Sequence, residues 1–206
     1  MADIVRIHPE NPQPRRVDGV AAALRRGALV AYPTDSTFAF GCSLGNAEAI
    51  ERIRKIRKTD KNHNFTLVCK DLSEIATYAR VDNWAYRLLR TYTPGPYTFI
   101  LRATGEVPKR MQHPKRRTIG IRVPDHAVVQ ALLDSLGEPI VSSTLMTPDW
   151  EFPPTDPYEI DAVIGSRLDV VVDGGPVSVD PTSVIDLSAG EVDVLREGRG
   201  DISSLA

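Results

Sequence analysis

Scarcity of cysteine and of long apolar runs sets the first limits on this 206-residue chain. Its two cysteines form no Cys-x-x-Cys pair and its four histidines are scattered, so the sequence gives no signal for a structural metal. No apolar run approaches the roughly 20 residues of a membrane span, and the N-terminus lacks the pattern of a signal peptide. We therefore predict a cytoplasmic protein without a membrane partner, in which Cys42 and Cys69 are buried, reduced thiols.

Several motifs of nucleotide-binding and hydrolytic enzymes are also missing. The sequence contains no Gly-x-x-x-x-Gly-Lys-Ser/Thr loop, no Gly-x-Gly-x-x-Gly and no Gly-x-Ser-x-Gly elbow. No histidine is placed for a serine or cysteine triad. His63 is the one histidine near a candidate site, and a hydrogen bond within its own loop is a commoner role for such a residue than catalysis.

Charge is distributed unevenly, although the net charge is only −2. Two dense basic blocks, at residues 52–61 and 109–122, are balanced by acidic residues mainly in the last third of the chain. The blocks have two interpretations: a polyanionic ligand on one face, or two ordinary solvated faces. A hydrophobic fraction of 42% and a charged fraction of 25% are typical of a soluble globular protein, and the length fits one domain.

Helical and extended patterns alternate along the chain, which predicts the α/β class. The spacing of apolar residues predicts a helix that stops at Gly27, one that Asn46 caps and one that Asp125 caps. Further helices are predicted over residues 72–78, 83–92 and 158–166. Strands are predicted over 28–32, 65–69, 97–101, 118–124, 139–144, 168–172, 183–187 and 192–195. The last two strands resemble a hairpin, which favours a mixed sheet over a parallel one.

Hydroxyl side chains gather at the ends of three predicted strands: Thr34, Ser36 and Thr37; Ser142, Ser143 and Thr144; Thr182 and Ser183. Three isolated arginines punctuate strands or their ends: Arg57, Arg122 and Arg196. On the strand over 118–124 apolar residues alternate with others, so that one face is apolar and the other presents Arg122. Because a guanidinium group binds carboxylate or phosphate in a bidentate fork, this combination predicts a crevice for an anionic ligand.

Five segments occur in the order that is typical of one known family: Tyr32–Gly41 (YPTDSTFAFG), Thr93–Thr98 (TPGPYT), Thr118–Pro124 (TIGIRVP), Pro139–Thr144 (PIVSST) and Leu195–Gly198 (LREG). On these segments the chain resembles the YrdC-like family, the threonylcarbamoyl-AMP synthase superfamily. The segments His63–Leu67 and Leu145–Met146 are similar to its YciO branch. The resemblance covers residues 10–202 and implies a single YrdC-like domain over that range.

The resemblance also implies a fold and an activity. The fold is α/β, with a twisted, open, mixed β-sheet flanked by helices and with a concave basic face. The activity is synthesis of L-threonylcarbamoyladenylate from L-threonine, bicarbonate and ATP, with release of pyrophosphate, for the threonylcarbamoyladenosine modification of tRNA. ATP would be a substrate, with Mg²⁺ held by ATP oxygens and waters rather than by a protein cage. Members of the family are also associated with tRNA and double-stranded RNA.

Individual site residues follow from the resemblance. The threonine side would comprise Ser36, Arg122, Ser142 and Thr182. The nucleotide and phosphate side would comprise Arg57, Lys58, Thr118, Thr144 and Arg196. Candidates for RNA binding come from the two basic blocks and are Lys55, Arg116 and Arg117.

Three departures from the synthase pattern leave the function open. The synthases hold the triphosphate with lysine-x-arginine, where this chain has Arg57 and Thr59. They then have serine-x-asparagine, where this chain has Thr144 and Met146, and a family histidine is replaced by Val68. Each charge-assisted contact to phosphate is worth about 1.5–3 kcal/mol, so two such losses could lower the synthase rate by several powers of ten. We therefore keep three hypotheses: an enzyme of the synthase type, a tRNA-, double-stranded RNA- or ribosome-binding protein with weak or no synthase activity, and a binder of nucleotide alone.

Overall fold

A computed structural model describes residues 1–59 and 64–205; Lys61 of the first basic block and His63 lie outside these residues. The strands of the described part are β1 (Asp3–Arg6), β2 (Val30–Tyr32), β3 (Ala39–Ser43), β4 (Thr66–Val68), β5 (Ala79–Arg80), β6 (Tyr97–Ala103), β7 (Thr118–Arg122), β8 (Ile140–Thr144), β9 (Val170–Asp173), β10 (Ser183–Asp186) and β11 (Asp193–Arg196). The α-helices are α1 (Pro14–Arg25), α2 (Ala47–Arg57), α3 (Leu72–Tyr78), α4 (Asn83–Tyr92), α5 (Ala127–Leu136) and α6 (Pro157–Ile164). In these ranges, no helix combines the length and the hydrophobicity needed to cross a bilayer.

All eleven strands belong to one open, mixed sheet. Its order is β1-β9-β2-β3-β8-β4-β7-β6-β10-β11, with β5 paired to β6 beside this path. The pairs β1–β9, β9–β2, β4–β7 and β6–β10 are parallel, and the remaining pairs are antiparallel. The predicted α/β class and the predicted mixed, open sheet are therefore confirmed.

The two faces of the sheet are covered differently. Helices α1 and α5 pack together over β2, β3, β8 and β9, in a core that includes Val20, Leu132 and Val172. Helices α2, α4 and α6 contribute to the core on the other face, with strand residues such as Phe99 and Ile121. No described residue of β6, β7 or β10 joins the core under α1 and α5. On that face, this half of the sheet is left for polar side chains.

Most predicted elements are confirmed, and the differences have local causes. Helices α3 and α4 have the predicted bounds, and the Asn46 side chain caps α2 by accepting from the Ala49 N–H at 3.0 Å. The predicted cap at Asp125 is wrong, because α5 begins after His126 and no side chain caps it. Strands β1, β3 and β5 were not predicted. The strand character of each comes from pairing with a distant segment of the chain.

Both cysteines are buried and free, as predicted. Burial raises the pKa of the Cys42 thiol to about 12, and burial also raises the pKa of Cys69. Neither thiol is therefore ionised near neutral pH, and both act as small apolar groups of the core.

Candidate functional site

A cavity of about 340 Å³ occupies the half of the sheet that α1 and α5 leave uncovered. Its floor is formed by β4, β6, β7, β8 and β10, and small side chains there leave the space open. Gly120 is part of this floor, and a Cβ at this position would lie 2.8 Å from the Thr66 Oγ1 atom, so a larger residue would displace the Thr66 side chain. A volume near 300 Å³ is at the lower end of the range for small-molecule sites.

The lining of the cavity consists almost wholly of hydrogen-bond donors and apolar groups. No carboxylate among the described residues lines it. The polar lining residues include Ser36, Thr37, Thr66, Thr98, Thr118, Ser142, Ser143, Thr144, Thr182, Arg57, Arg116, Arg122 and Arg196. An apolar wall is added by Phe65, Ile100, Met111, Ile119, Val184 and Leu195. The wall thus carries four guanidinium groups and no carboxylate among its described residues, although Arg122 pairs with Asp35 and Arg116 with Asp186 outside the lining. This excess of donors favours an anionic ligand with one apolar part.

Arg122 is held firmly along one edge of its guanidinium group. Its Nη2 atom lies 3.1 Å from Thr34 Oγ1 and 2.9 Å from Ser36 Oγ, and it also contacts Asp35 Oδ1. Its Nε atom is buried without a hydrogen-bond partner, and all its hydrogen bonds with the described residues use Nη2 rather than Nη1. Because a buried, unpartnered donor costs about 1–3 kcal/mol, the unpaired nitrogens point to a ligand acceptor.

Asp35 was not among the predicted site residues, yet it determines how Arg122 is held. Its Oδ1 atom accepts from Arg122, while Oδ2 accepts the backbone N–H of Asp125 at 2.8 Å. The Asp35 and Arg122 side chains are each 9% exposed. The one sequence signal for Asp35 is that it is the only charged residue among the four polar residues after Pro33.

The hydroxyl groups of the β2–β3 connection complete this corner. Thr34 Oγ1 donates to the Thr37 carbonyl at 2.6 Å and accepts the Ser36 backbone N–H at 3.2 Å. All three residues are buried. The connection is therefore a rigid loop that places the Ser36 hydroxyl beside the Arg122 guanidinium.

On the opposite side, Thr182 and Arg196 form one unit with Thr98. Arg196 Nε donates to the Thr182 carbonyl at 2.9 Å, and its Nη2 atom donates to Thr182 Oγ1 at 3.2 Å. Thr182 Oγ1 also lies 2.9 Å from Thr98 Oγ1. Burial lowers the pKa of Arg196, and the nearby charge of Arg122 lowers it further. The residue assigned to the threonine side and the residue assigned to the nucleotide side thus share one hydrogen-bonded group.

Arg57 reaches the cavity from the last turn of α2. Its Nη1 atom donates to the Ser143 hydroxyl, one residue before Thr144 on β8. Burial lowers the pKa of the Arg57 guanidinium. Thr118 enters the same cavity from the start of β7, where its side chain is buried.

Three predicted residues lie outside the cavity. Lys58 adopts a left-handed conformation at the end of α2, with φ of 51°, and its Nζ atom lies 3.9 Å from Asp149. Lys55 is exposed on α2, and Arg117 is exposed in the turn before β7. Thus eight of the nine residues predicted for the threonine and nucleotide sides line the cavity, together with Arg116.

The three departures from the synthase pattern have different positions. Val68 lies in the cavity floor and is fully buried. Thr59 and Met146 are not part of the lining. The end of α2 therefore brings one guanidinium group, from Arg57, to the part of the cavity where the resemblance implies two cations.

A second depression adjoins the cavity and is strongly basic. It encloses about 830 Å³ and is lined by Arg80, Arg102, Lys109, His113, Arg116 and Arg117, with no carboxylate from the described residues in its lining. We call it the basic groove. Arg116 belongs to both sites, and the buried Asp186 carboxylate accepts from its Nη1 atom at 2.8 Å.

A larger depression at the other end of the sheet is less suited to a ligand. It encloses about 1010 Å³ between α1, α2 and the β1 edge of the sheet. Its cations are largely engaged within the protein: Arg52 pairs with Asp169 at 2.8 Å, and Arg25 donates to the Ser135 carbonyl. The described residues also hold no cluster of three or more side chains suited to a metal ion.

The fold and the cavity define an α/β protein with a site suited to anionic ligands. The chain matches the family model named Sua5/YciO/YrdC, described as "Telomere recombination", over residues 22–198. It is 48% identical to the Escherichia coli protein YciO over 202 residues, which is 98% of each chain. The chain therefore belongs to the Sua5/YciO/YrdC family.

One further relative and two solved structures extend this comparison. A threonylcarbamoyl-AMP synthase of Halorhodospira halophila is 31% identical over 185 residues, 88% of this chain and 95% of the relative. The crystal structure of E. coli YciO superposes with a TM-score of 0.95 at 47% identity and covers all of both chains. The fold is also that of P. abyssi Sua5 crystallised with L-threonine, with a TM-score of 0.86 at 22% identity over 95% of this chain and 57% of Sua5. The predicted family and YciO branch are confirmed.

Proposed function

We propose that the cavity binds an adenine nucleotide together with L-threonine, and that the chain forms L-threonylcarbamoyladenylate from L-threonine, bicarbonate and ATP. The observation that carries this proposal is the unpartnered edge of the Arg122 guanidinium beside the Ser36 hydroxyl. A ligand carboxylate supplies the acceptors that this edge lacks. The relationship to a threonylcarbamoyl-AMP synthase, and the L-threonine in the related Sua5 structure, support the same ligand.

Positioning accounts for most of the proposed chemistry. The threonine amine and bicarbonate combine with loss of water to give a carbamate. One carbamate oxygen then bonds to the α-phosphorus of ATP, while the bond from that phosphorus to the bridging oxygen breaks and pyrophosphate leaves. In this scheme Arg122 and Ser36 hold the threonine part, and Arg57 and Arg196 stabilise the phosphate charge. The apolar wall receives the adenine ring.

Mg²⁺ fits this site only as part of the nucleotide complex. The cavity wall has hydroxyl groups but no carboxylate among its described residues, and Mg²⁺ prefers carboxylate, phosphate and water oxygens. Ser143, which accepts a hydrogen bond from Arg57, and the adjoining Thr144 carry hydroxyl groups that could contact its water shell. When bound, the ion would neutralise phosphate charge.

The synthase proposal has a direct test. The protein is incubated with ATP, Mg²⁺, L-threonine and bicarbonate, and pyrophosphate and the adenylate are measured by mass spectrometry. We expect both products above a boiled control, and equal amounts from Arg15→Ala, an exposed α1 residue outside the cavity. If neither product forms although AMP and L-threonine bind in calorimetry, the ligand assignment stands and the synthase assignment is rejected.

The basic groove favours a second candidate function, binding of tRNA or double-stranded RNA. Five exposed lysine or arginine residues without a carboxylate in the lining resemble the phosphate-binding surface of a nucleic-acid-binding protein. Of the three RNA candidates from the sequence, Arg116 and Arg117 lie in this groove and Lys55 does not.

Charge reversal at Lys109 and Arg117 tests this second function. Their side chains make no hydrogen bond or ion pair with the described residues, so the fold should be retained. We expect weaker binding of a tRNA in filter-binding or anisotropy titrations, and a salt dependence whose log–log slope falls by about 2, since two phosphate contacts are lost. Lys55→Glu with Lys58→Glu is the comparison variant outside the groove, in which Lys58 also loses its contact with Asp149. Binding that is insensitive to salt, or that is lost only in this second variant, would exclude the groove as the RNA site.

A further inference from the structure

Tyr32 reaches the cavity wall from the side, from the core under α1 and α5 and across three neighbouring strands. Its ring starts on β2 and passes over Gly41 on β3, where a Cβ would lie 2.7 Å from the ring. Its hydroxyl ends 2.8 Å from the Ser142 hydroxyl oxygen on β8, the strand on which Ser142 pairs with Gly41. Ser142 lines the cavity, whereas Tyr32 does not. The missing side chain at Gly41 is what allows this contact.

The direction of this hydrogen bond determines what Ser142 can offer a ligand. Tyr32 is the donor and Ser142 Oγ is the acceptor. The Ser142 hydroxyl makes no other hydrogen bond with the described residues, so its own hydrogen has no protein acceptor. Burial raises the pKa of Tyr32 to about 12. The phenol therefore stays protonated near neutral pH and remains a donor.

We propose that Tyr32 is a positioning residue that holds Ser142 as a hydrogen-bond donor to the ligand, so that the adjoining ligand atom is an oxygen acceptor of a carboxylate or carbamate rather than an ammonium nitrogen. The identity of the ligand rests on the proposed function. An ammonium group at this place would leave the Ser142 hydrogen without an acceptor, and a buried donor without a partner is unfavourable. Tyr32 would thus select the orientation in which the ligand presents an oxygen to β8.

A simpler role for Tyr32 is that of a buried phenol whose hydroxyl group uses Ser142 only to satisfy its own hydrogen bond. The two roles differ in what Tyr32→Phe does to Ser142. If Tyr32 positions Ser142, removal of the phenolic oxygen releases the Ser142 side chain to occupy several rotamers. If Tyr32 merely finds a partner in Ser142, the serine keeps its rotamer.

Crystal structures of the wild type and of Tyr32→Phe without ligand decide this point, whatever the ligand is. We expect one Ser142 rotamer in the wild type and at least two in the variant. A single, unchanged Ser142 rotamer in Tyr32→Phe overturns the positioning role. This result is independent of whether the proposed function is correct.

Ligand binding provides the second arm of the test. L-threonine is titrated calorimetrically with AMP and bicarbonate present. We expect Tyr32→Phe to weaken binding about three- to ten-fold, as for one hydrogen bond, and to have no further effect in a Ser142→Ala background. Tyr92→Phe is the matched control, because the Tyr92 hydroxyl contacts the Ser204 hydroxyl away from the cavity. Equal losses in both backgrounds contradict the proposal, while a wild type that binds no L-threonine rejects the proposed function and leaves the crystallographic arm to decide.

Discussion

Arg122→Lys is expected to weaken the affinity of the cavity for L-threonine by about ten- to one-hundred-fold, in calorimetric titrations with AMP present. A lysine ammonium can replace one contact of the guanidinium group but not its fork. In the native protein, the Arg122 Nη2 atom is occupied by Thr34, Asp35 and Ser36. The remaining nitrogens are therefore the ones that a ligand carboxylate can use, and lysine has no equivalent of them.

A comparison of Arg122→Met with Arg122→Lys separates the effect on ligand affinity from the effect on the free energy of unfolding. Both side chains of the Arg122–Asp35 pair are buried, and removal of one partner leaves an uncompensated charge that costs about 3–5 kcal/mol. We expect urea unfolding to show a loss of this size for Arg122→Met and a much smaller loss for Arg122→Lys. The matched control is Arg52→Lys, since Arg52 pairs with Asp169 far from the cavity. Unchanged L-threonine affinity in Arg122→Lys would contradict the assignment of Arg122 to the ligand carboxylate.

The sequence alone predicts those parts of the fold that local chemistry determines. Helix α3 begins where the Asp71 side chain accepts the Glu74 N–H at 2.9 Å, and a capping residue is visible in a sequence. The alternation along β7 likewise predicts that Ile121 faces the core and Arg122 faces the other side. Strand β3 was missed because Ala39 and Gly41 have low strand propensity, and the segment gains strand structure by pairing with β2 and β8.

In the candidate site, too, some features can be predicted from the sequence and others depend on contacts between distant residues. Motif order along the chain, through the family resemblance, places Ser36, Arg122 and Ser142 in one site, and the structure brings their side chains into one cavity. The ion pair between Asp35 and Arg122 joins residues 87 positions apart and has no local signature. The positive charges at the end of α2 likewise do not show which side chains face the cavity. The left-handed turn at Lys58 places that side chain beside Asp149 instead of in the cavity.

Residues 196–200, which we call the closing segment, are a further part of the site, and the sequence motif alone does not explain how they are held in place. The Ser183 hydroxyl donates to the Gly200 carbonyl at 2.6 Å and accepts the Gly198 N–H at 2.9 Å. The Arg199 N–H donates to the Pro181 carbonyl at 2.8 Å. Residues 196–200 are thereby fastened to the start of β10, which fixes the position of Arg196 in the cavity wall.

Gly198→Ala is expected to disrupt this attachment. A Cβ at Gly198 would lie 2.3 Å from the Pro181 carbonyl oxygen and 2.6 Å from the Thr182 carbonyl carbon and oxygen. These are backbone atoms, so the added methyl group must push the closing segment away from β10. Overpacking of this kind costs about 1–3 kcal/mol, which for a chain of this size lowers Tm by about 2–4 °C per kcal/mol.

The loss in Gly198→Ala should extend to the ligand, because Thr182 and Arg196 share hydrogen bonds that depend on this attachment. We expect at least a ten-fold weaker affinity for AMP by calorimetry, at a temperature where the variant is still folded. Gly19→Ala is the matched control: a Cβ there meets no atom within 4 Å, and in the interior of α1 alanine should stabilise the protein by about 0.5–1 kcal/mol. Wild-type Tm and AMP affinity in Gly198→Ala would show that the segment is not held against Thr182. A lowered Tm with unchanged AMP affinity would instead show that the closing segment contributes to stability but not to nucleotide binding, because Arg196 would then have moved without consequence for the ligand.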